Sequence, residues 1–268
     1  VATVQNILNI LQDIAADDLA EAWDNVGLLI GSPDSRVTSI LLGLDPTAEL
    51  LSQAADLDAE LIITHHPAIF HPLKNLRTDQ PTGNFIHCAL QAEINVISCH
   101  TNLDATVGGV NDVLAQALGV VQAEPLLPEK QAGTGCGLGR VGNLQTAVDA
   151  DTFIATIHNA LSPPWLLEAG PRPRTVSRVA VCGGSCSDFA ETARNAGADV
   201  FLTAEVKHAV ARWAEEAGLW LIDGGHFATE NPAIAALQSL LAVRINQMNM
   251  TVQVHRARQA PPLRLITT

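Results

Sequence analysis

Histidines and carboxylates at a few places in this sequence are the residues best suited to chemistry. His65 and His66 stand side by side before Pro67, with His71 a little further on. His100 is followed by Asn102 and Asp104, and His226 precedes Glu230 by four positions. Imidazole and carboxylate suit borderline divalent ions, and imidazole also carries protons near neutral pH. Neighbouring side chains on an extended backbone point to opposite sides, so His65 and His66 serve two ions lying side by side better than they chelate one. His226 and Glu230 share a face if a helix starts near Phe227. A carboxylate has two oxygens, so Asp104 or Glu230 can bridge ions about 3.5–4 Å apart. Each piece alone has a plainer reading. The histidine pair can be one packed and one solvated side chain, Asp104 a turn or N-cap residue, and His226 with Glu230 a surface pair. Together, His65, His66, Asp104, His226 and Glu230 read as the ligands of a dinuclear divalent-metal site. The catalytic candidates are His100, as proton shuttle or orienting partner, and His208, which lies beside Glu205 and Lys207 and can help line the site. Asp24 and Asp45 are further lining candidates, and His71 reads as an ordinary loop residue.

Such residues need a scaffold that brings them to one place. Val4–Ile14 has apolar residues at helical spacing. Short apolar runs at 38–44, 60–63 and 94–98 read as strands, and helical stretches follow at 47–55, 82–92 and 111–118. A second series has helices at 151–161, 188–196, 208–217 and 231–241. Its strands fall at 177–182, 200–203, 219–222 and 250–254. Strands alternating with helices predict an α/β fold with mixed, mostly parallel sheets flanked by helices. Parallel strands are covered on both faces, which accounts for a run such as Leu61-Ile62-Ile63. His65–His66, His100 and His226 each follow a strand, where open α/β sheets bind their ligands. Between 121 and 145 the prolines Pro125 and Pro128 and the glycines Gly133, Gly135, Gly137, Gly139 and Gly142 predict irregular structure and a lobe boundary. Residues 1–124 with 220–268 form the expected metal-binding lobe, and 125–219 the second α/β lobe. Gly137-x-Gly139-x-x-Gly142 matches a dinucleotide fingerprint, but no clear strand precedes it, so a tight loop is expected.

Composition narrows the function. The 268 residues carry 15 Lys and Arg against 28 Asp and Glu, a net charge of −13, and 47% are hydrophobic. A chain this apolar can bury a large core, and its acidity argues against binding to a nucleic-acid backbone. No run of about 18 apolar residues predicts a membrane span. The N-terminal stretch lacks a basic segment and is no signal peptide, while the start at Val1 rather than Met predicts that something has been removed. Five scattered cysteines suggest no disulfide framework, and a cytoplasmic protein is expected. Cys182-x3-Cys186 is not zinc-knuckle spacing, so a thiolate site is not expected. Beyond residue 240 the chain holds Arg244, Arg256, Arg258 and Arg264 and no acid. This segment can contact a substrate phosphate or form a basic edge strand.

Three segments carry a resemblance: Leu61-Ile62-Ile63-Thr64-His65-His66-Pro67, His100-Thr101-Asn102-Leu103-Asp104 and Gly225-His226-Phe227-Ala228-Thr229-Glu230. With Trp23-Asp24-Asn25-Val26-Gly27-Leu28 and Leu42-Gly43-Leu44-Asp45-Pro46-Thr47, the sequence resembles the GTP cyclohydrolase I type 2 homologues, an interacting-factor-3-like family, over almost its whole length. The resemblance implies a two-lobed α/β fold without a larger inserted domain. It also implies a toroidal homohexamer, a trimer of dimers, with metal sites facing an internal cavity. The family's ligand positions match His65, His66, Asp104, His226 and Glu230. Ala204-Glu205 stands where the family often has Gly-Asp or Gly-Glu, and Gly183-Gly184-Ser185-Cys186 replaces its Gly-Gly-Ser-Gly turn.

Two divalent ions, whether zinc, iron, manganese or nickel, would supply hydroxide near neutral pH and hold an electrophile, so hydrolysis is the expected reaction class. The family name implies attack on a guanine imidazole ring with release of formate. The expected substrate is a small molecule, a nucleotide or related heterocycle. The alternative is a metal-binding scaffold, chaperone or regulatory interaction protein without catalysis of its own.

Overall fold

Short apolar runs and the amphipathic stretches between them become parallel strands and covering helices. The computed structural model describes residues 1–129 and 135–266. It divides into two compact units, Val1–Leu103 with Ile234–Gln259 and Asp104–Ala233 with Ala260–Thr268. On sequence grounds, residues 104–124, 220–233 and 260–268 go with the first lobe; in the structure 104–124, 220–233 and the stretch from 260 fall in the second unit.

The first unit runs β1 (Ala2–Thr3), α1 (Val4–Ile14), β2 (Gly27–Ile30), β3 (Arg36–Val37), β4 (Ser39–Gly43), α2 (Ala48–Asp56), β5 (Leu61–Thr64), α3 (Pro81–Gln91) and β6 (Asn95–Ser98). Thr3 and Asn6 form a capping box at α1, and the Thr47 side chain caps α2. Then α4 (Thr101–Ala105) carries the chain into the second unit. There follow α5 (Val110–Ala117), β7 (Val120–Pro128), β8 (Gly137–Val148), α6 (Ala150–Leu161), β9 (Leu167–Ala169) and β10 (Val176–Val181). The unit continues through α7 (Ala190–Asn195), β11 (Val200–Thr203), α8 (His208–Ala217), β12 (Trp220–Asp223) and α9 (His226–Glu230). Finally α10 (Pro232–Gln247) leads back to the first unit, which β13 (Gln253–Arg256) completes.

In the first unit the sheet order is β13-β4-β5-β6-β2, with a separate β1-β3 pair. β13, β4, β5 and β6 are parallel, and β2 is an antiparallel edge. Leu41, Ile62 and Val96 pack with Leu50 and Ala54 of α2 and with Phe85 and Ala89 of α3. Their neighbours Ile40, Ile63 and Ile97 point the other way and are also buried.

In the second unit the order is β7-β8-β10-β11-β12-β9, parallel only through β10-β11-β12. Val179, Val181, Leu202 and Ile222 pack with Leu114 of α5 and Phe153 and Ile157 of α6. The alternate residues Ala180, Phe201 and Leu221 pack with Ala193 of α7 and Ala214 of α8. Both faces are covered, which is why these runs lack polar alternation.

The stretch 121–145 departs from the irregular loop expected of it. Its described residues belong mainly to β7 and β8, a long antiparallel pair. The prolines fit because β7 is an edge strand. Gly137 and Gly142 fit because a Cβ there would lie 2.2 Å from the Leu127 carbonyl oxygen and 2.7 Å from that of Val121. The Gly137-x-Gly139-x-x-Gly142 pattern therefore serves close strand approach, and no tight loop forms there. Gly133 lies outside the described residues. Among the described residues no helix is long and apolar enough to cross a membrane.

Candidate metal centre

The register of the first sheet decides what stands at its carboxyl edge. Gly43 pairs with Thr64, and Thr64 with Ser98, so three parallel strands end in one row. His65 with His66 follows β5 directly, and Asp45 and His100 stand two residues beyond the ends of β4 and β6. The antiparallel β2 begins at the same edge, since Gly27 pairs with Ser98, and this brings in Asp24. The rings of His65, His66 and His100 lie 5.1 to 5.6 Å apart between centroids. Each offers a ligand atom within 4.8 Å of the others.

Every one of these imidazoles has its Nδ1 against an oxygen. His65, which is buried, donates from Nδ1 to the Cys99 carbonyl at 2.8 Å. His66 Nδ1 lies 2.7 Å from Asp45 Oδ1, and His100 Nδ1 2.8 Å from Asp24 Oδ1. A carbonyl can only accept, so the His65 proton sits on Nδ1 and the lone pair on Nε2; the carboxylates favour the same tautomer in the other two rings. Oxygen behind one nitrogen and a lone pair on the other is the usual arrangement of a metal-binding histidine.

Asp24 is the best anchored of these partners. Its fully enclosed carboxylate also accepts from the Thr101 backbone N–H at 3.0 Å and the Thr101 hydroxyl at 2.5 Å. Burial alone would raise its pKa, but the hydrogen bonds from His100 and Thr101 outweigh that and hold it well below the usual carboxylate range. Burial, reinforced by Asp17, pushes the Cys99 thiol up to about 12, so this residue serves through its carbonyl and not as a thiolate.

The second unit presents a different construction. β11 and β12 end together, Thr203 opposite Asp223. Asp223 accepts from the Val206 N–H through one oxygen and the Gly225 N–H through the other, both at 2.9 Å, and so ties the two strand-end loops together. Gly225, at φ +78°, turns the chain directly into α9. The helix begins at His226, and its i, i+4 spacing places His226 Nε2 3.1 Å from Glu230 Oε2. His226 Nδ1 is 3.0 Å from Oε1 of Glu205, which follows β11. Glu230 is 4% exposed and sits over the Gly183-Gly184 turn, where a Cβ on Gly184 would fall 2.2 Å from Glu230 Oε1.

Asp104 lies within α4 and is no N-cap: α5 starts at Val110 with Gly109 before it. The Asn111 side chain joins the Asp104 carbonyl to the Gly183 N–H at 3.0 and 2.9 Å. The Cys182 thiol is pushed up by its hydrogen bond with Cys186, by burial, and by the nearby Cys186, Asp104 and Glu230. Cys182 is thus held as a thiol beside two acidic candidates. His208 is exposed at the start of α8, and no group of possible metal ligands found among the described residues includes it.

The first unit thus gathers His65, His66 and His100, and the second His226 with Glu230. These His and Glu side chains could hold a metal ion. The Cys99 carbonyl, Glu205 as partner of His226, and the approach of Gly184 to Glu230 were not among the expected features. A backbone carbonyl leaves no mark on a sequence, whereas a carboxylate at a strand end, as at Asp45, is the signal that also marks Glu205.

A family model described as Duf34/NIF3 (NGG1p interacting factor 3) matches residues 2–262. A Clostridium perfringens protein named GTP cyclohydrolase 1 type 2 homolog is 33% identical over 243 residues, 91% of this chain and 92% of the relative. A Nostoc protein of the same name is 35% identical over 223 residues, 82% of this chain and 84% of the relative. Among solved structures, a Staphylococcus aureus hypothetical protein superposes with a TM-score of 0.93 at 28% identity, covering 98% of this chain and 99% of the other. A Bacillus cereus protein related to NIF3 has a TM-score of 0.92 at 23% identity, covering 99% of both chains, and so shares the fold. With nearly the whole chain matched, this protein belongs to the Duf34/NIF3 family.

Proposed function

We propose that this protein is a metal-dependent hydrolase that uses His65, His66, Asp104, His226 and Glu230 to hold two divalent ions and acts on a nucleotide or a related heterocycle. One observation carries the reading: His65, His66, His100 and His226 each turn Nδ1 to an oxygen acceptor. Packing alone has no need to turn four Nδ1 atoms to oxygen in this way, and His226 then sets its Nε2 against Glu230. Divalent ions, when bound, acidify water and offset charge on the electrophile.

The chain's own groups supply the rest. His65 and His66 bind. His100, with its proton fixed on Nδ1 by Asp24, accepts a proton at Nε2, and Asp24 acts as its positioning residue. Glu205 orients His226. His208 is the second proton carrier in this reading, reaching substrate from the exposed start of α8. The name of the relatives makes guanine nucleotides the first substrates to try. We read the chain as a cytoplasmic homohexamer, a trimer of dimers. The free cysteines Cys88, Cys99, Cys136, Cys182 and Cys186 suit a reducing compartment.

The test is elemental analysis of natively purified protein with turnover on a nucleotide panel. About two metals per chain are expected, with hydrolysis that a His65→Ala, Glu230→Ala double variant lacks. Equal turnover by the double variant sinks the reading. Sedimentation equilibrium tests the hexamer.

A further inference from the structure

The chain is poor in aromatic residues, 4% with no Tyr. Even so, the two large aromatic side chains that stand exposed among the described residues, Trp23 at 57% and Phe70 at 40%, lie against each other, edge to face at 5.8 Å, in the first unit. Each also contacts His100, at 6.2 and 6.0 Å between ring centroids. Leaving large aromatic faces in water is unfavourable unless something covers them. The platform is also braced. The Asn25 side chain, two residues after Trp23, donates to the carbonyl of Ile69, next to Phe70, at 2.5 Å. Asp24, next to Trp23, is held by Thr101 and His100. Phe70 also lines a cleft of about 910 Å³ with Pro46, Pro67, His71 and Lys74, and Pro46 and Pro67 directly follow Asp45 and His66. The cleft thus opens on the Phe70 side of the platform, next to the strand ends that carry Asp45 and His66.

We propose that Trp23 and Phe70 form a stacking platform for the planar base of a nucleoside or nucleotide, which sets substrate class by holding an aromatic heterocycle against the His65–His66–His100 edge. The proposal rests on the hydrolase reading for its substrate but stands on separate residues. A base offers a π face to the Trp23 ring whatever its hydrogen-bonding edge, so the platform selects aromatic heterocycles over acyclic amides and esters. Its rigidity lowers the ordering cost of binding.

Guanosine is the probe, because a nucleoside has no phosphate to bind metal or lysine. Binding to the whole protein is measured by calorimetry and by tryptophan fluorescence, with metal content and circular dichroism checked for each variant. Trp23→Ala should weaken guanosine about tenfold or more and raise KM with little change in kcat. Trp23→Phe should keep affinity within about threefold yet remove the ligand-induced quenching that Trp23 contributes. Phe70→Ala, a loop change that leaves Trp23 in place, should weaken binding less than Trp23→Ala does. Guanosine that binds wild type and Trp23→Ala equally overturns the proposal, as does wild type that does not bind it. Metal-dependent turnover of an acyclic substrate without guanosine binding would sink the platform and leave the hydrolase reading standing. Guanosine binding lost in Trp23→Ala with no turnover on any substrate would do the reverse.

Discussion

The two units bring imidazole and carboxylate to the carboxyl ends of parallel strands by different means. In the first, strand register sets the spacing: Gly43, Thr64 and Ser98 share a row, and the residues after them emerge about one strand separation apart. In the second, one turn of α9 sets it, joining His226 to Glu230. The first arrangement is as rigid as the sheet. The second depends on a five-residue helix entered through Gly225 and on a glycine turn beneath Glu230. The sheet-built cluster should resist local change, and the helix-built pair should yield to a single added carbon.

The largest test of this contrast removes one imidazole from each unit. His65→Ala and His226→Ala should each lower apparent metal affinity by more than about 100-fold, beyond what loss of an outer partner does. Elemental analysis after dialysis against a weak chelator reads the result. A full metal load in His226→Ala beside an empty His65→Ala would show that the first unit's histidines suffice alone.

Outer partners come next. Asp24→Asn and Glu205→Gln keep the shape of the side chain but remove its charge, and loss of such partners costs about 10- to 100-fold in affinity. Asp24, fully enclosed and holding Thr101 as well as His100, should fall at the upper end. Glu205, 57% exposed, should fall at the lower end. Equal effects in a metal titration would erase the distinction between the units.

Gly184→Ala targets the helix-built pair through the backbone. The position has φ +71°, and the new Cβ would collide with Glu230 Oε1. Holding a non-glycine residue there costs about 1–3 kcal/mol, which urea unfolding should show, and Glu230 must leave its present place. Metal content should fall with stability. Wild-type metal binding in Gly184→Ala would mean that Glu230 is not a ligand in this position.

Much of the scaffold was legible because buried parallel strands write themselves as short apolar runs. α1 and α8 span the residues their periodicity marks, Val4–Ile14 and His208–Ala217. His226 and Glu230 were legible as a helical pair because four residues is one turn. The antiparallel strands were not legible. β7 and β8 carry prolines and glycines that signal loops, and only the edge position and the close approach of Leu127 and Val121 explain them. The placing of Asp104 beside Cys182, and of Gly184 beneath Glu230, depends on contacts between residues far apart in the chain. Local spacing holds no trace of such contacts.

The smallest effect separates the units by how each holds a surface glutamate. In the first, Glu60 accepts from the Thr38 and Ser39 N–H groups at 2.9 Å and from the Thr38 hydroxyl at 2.7 Å. In the second, Glu168 pairs with the exposed Arg172 at 2.7 Å and accepts from Trp220 Nε1 at 3.0 Å. Burial raises the Glu60 pKa, but the Thr38 and Ser39 donors bring it below the usual glutamate value; Arg172 first, then Trp220, lowers that of Glu168 against partial desolvation. A depressed folded-state pKa contributes stability that is complete above the unfolded value and is lost as pH falls through the folded one. Both contributions should therefore be present at pH 7 and fade below the ordinary glutamate range. Glu60→Gln and Glu168→Gln should each cost on the order of 1 kcal/mol or less at pH 7. Salt tells them apart, because an exposed ion pair is screened at 1 M and backbone hydrogen bonds are not. Repeating the urea titrations in 1 M NaCl should shrink the Glu168→Gln effect and leave that of Glu60→Gln. Equal shrinkage would mean that charge and not amide geometry anchors the Glu60 corner of the first sheet.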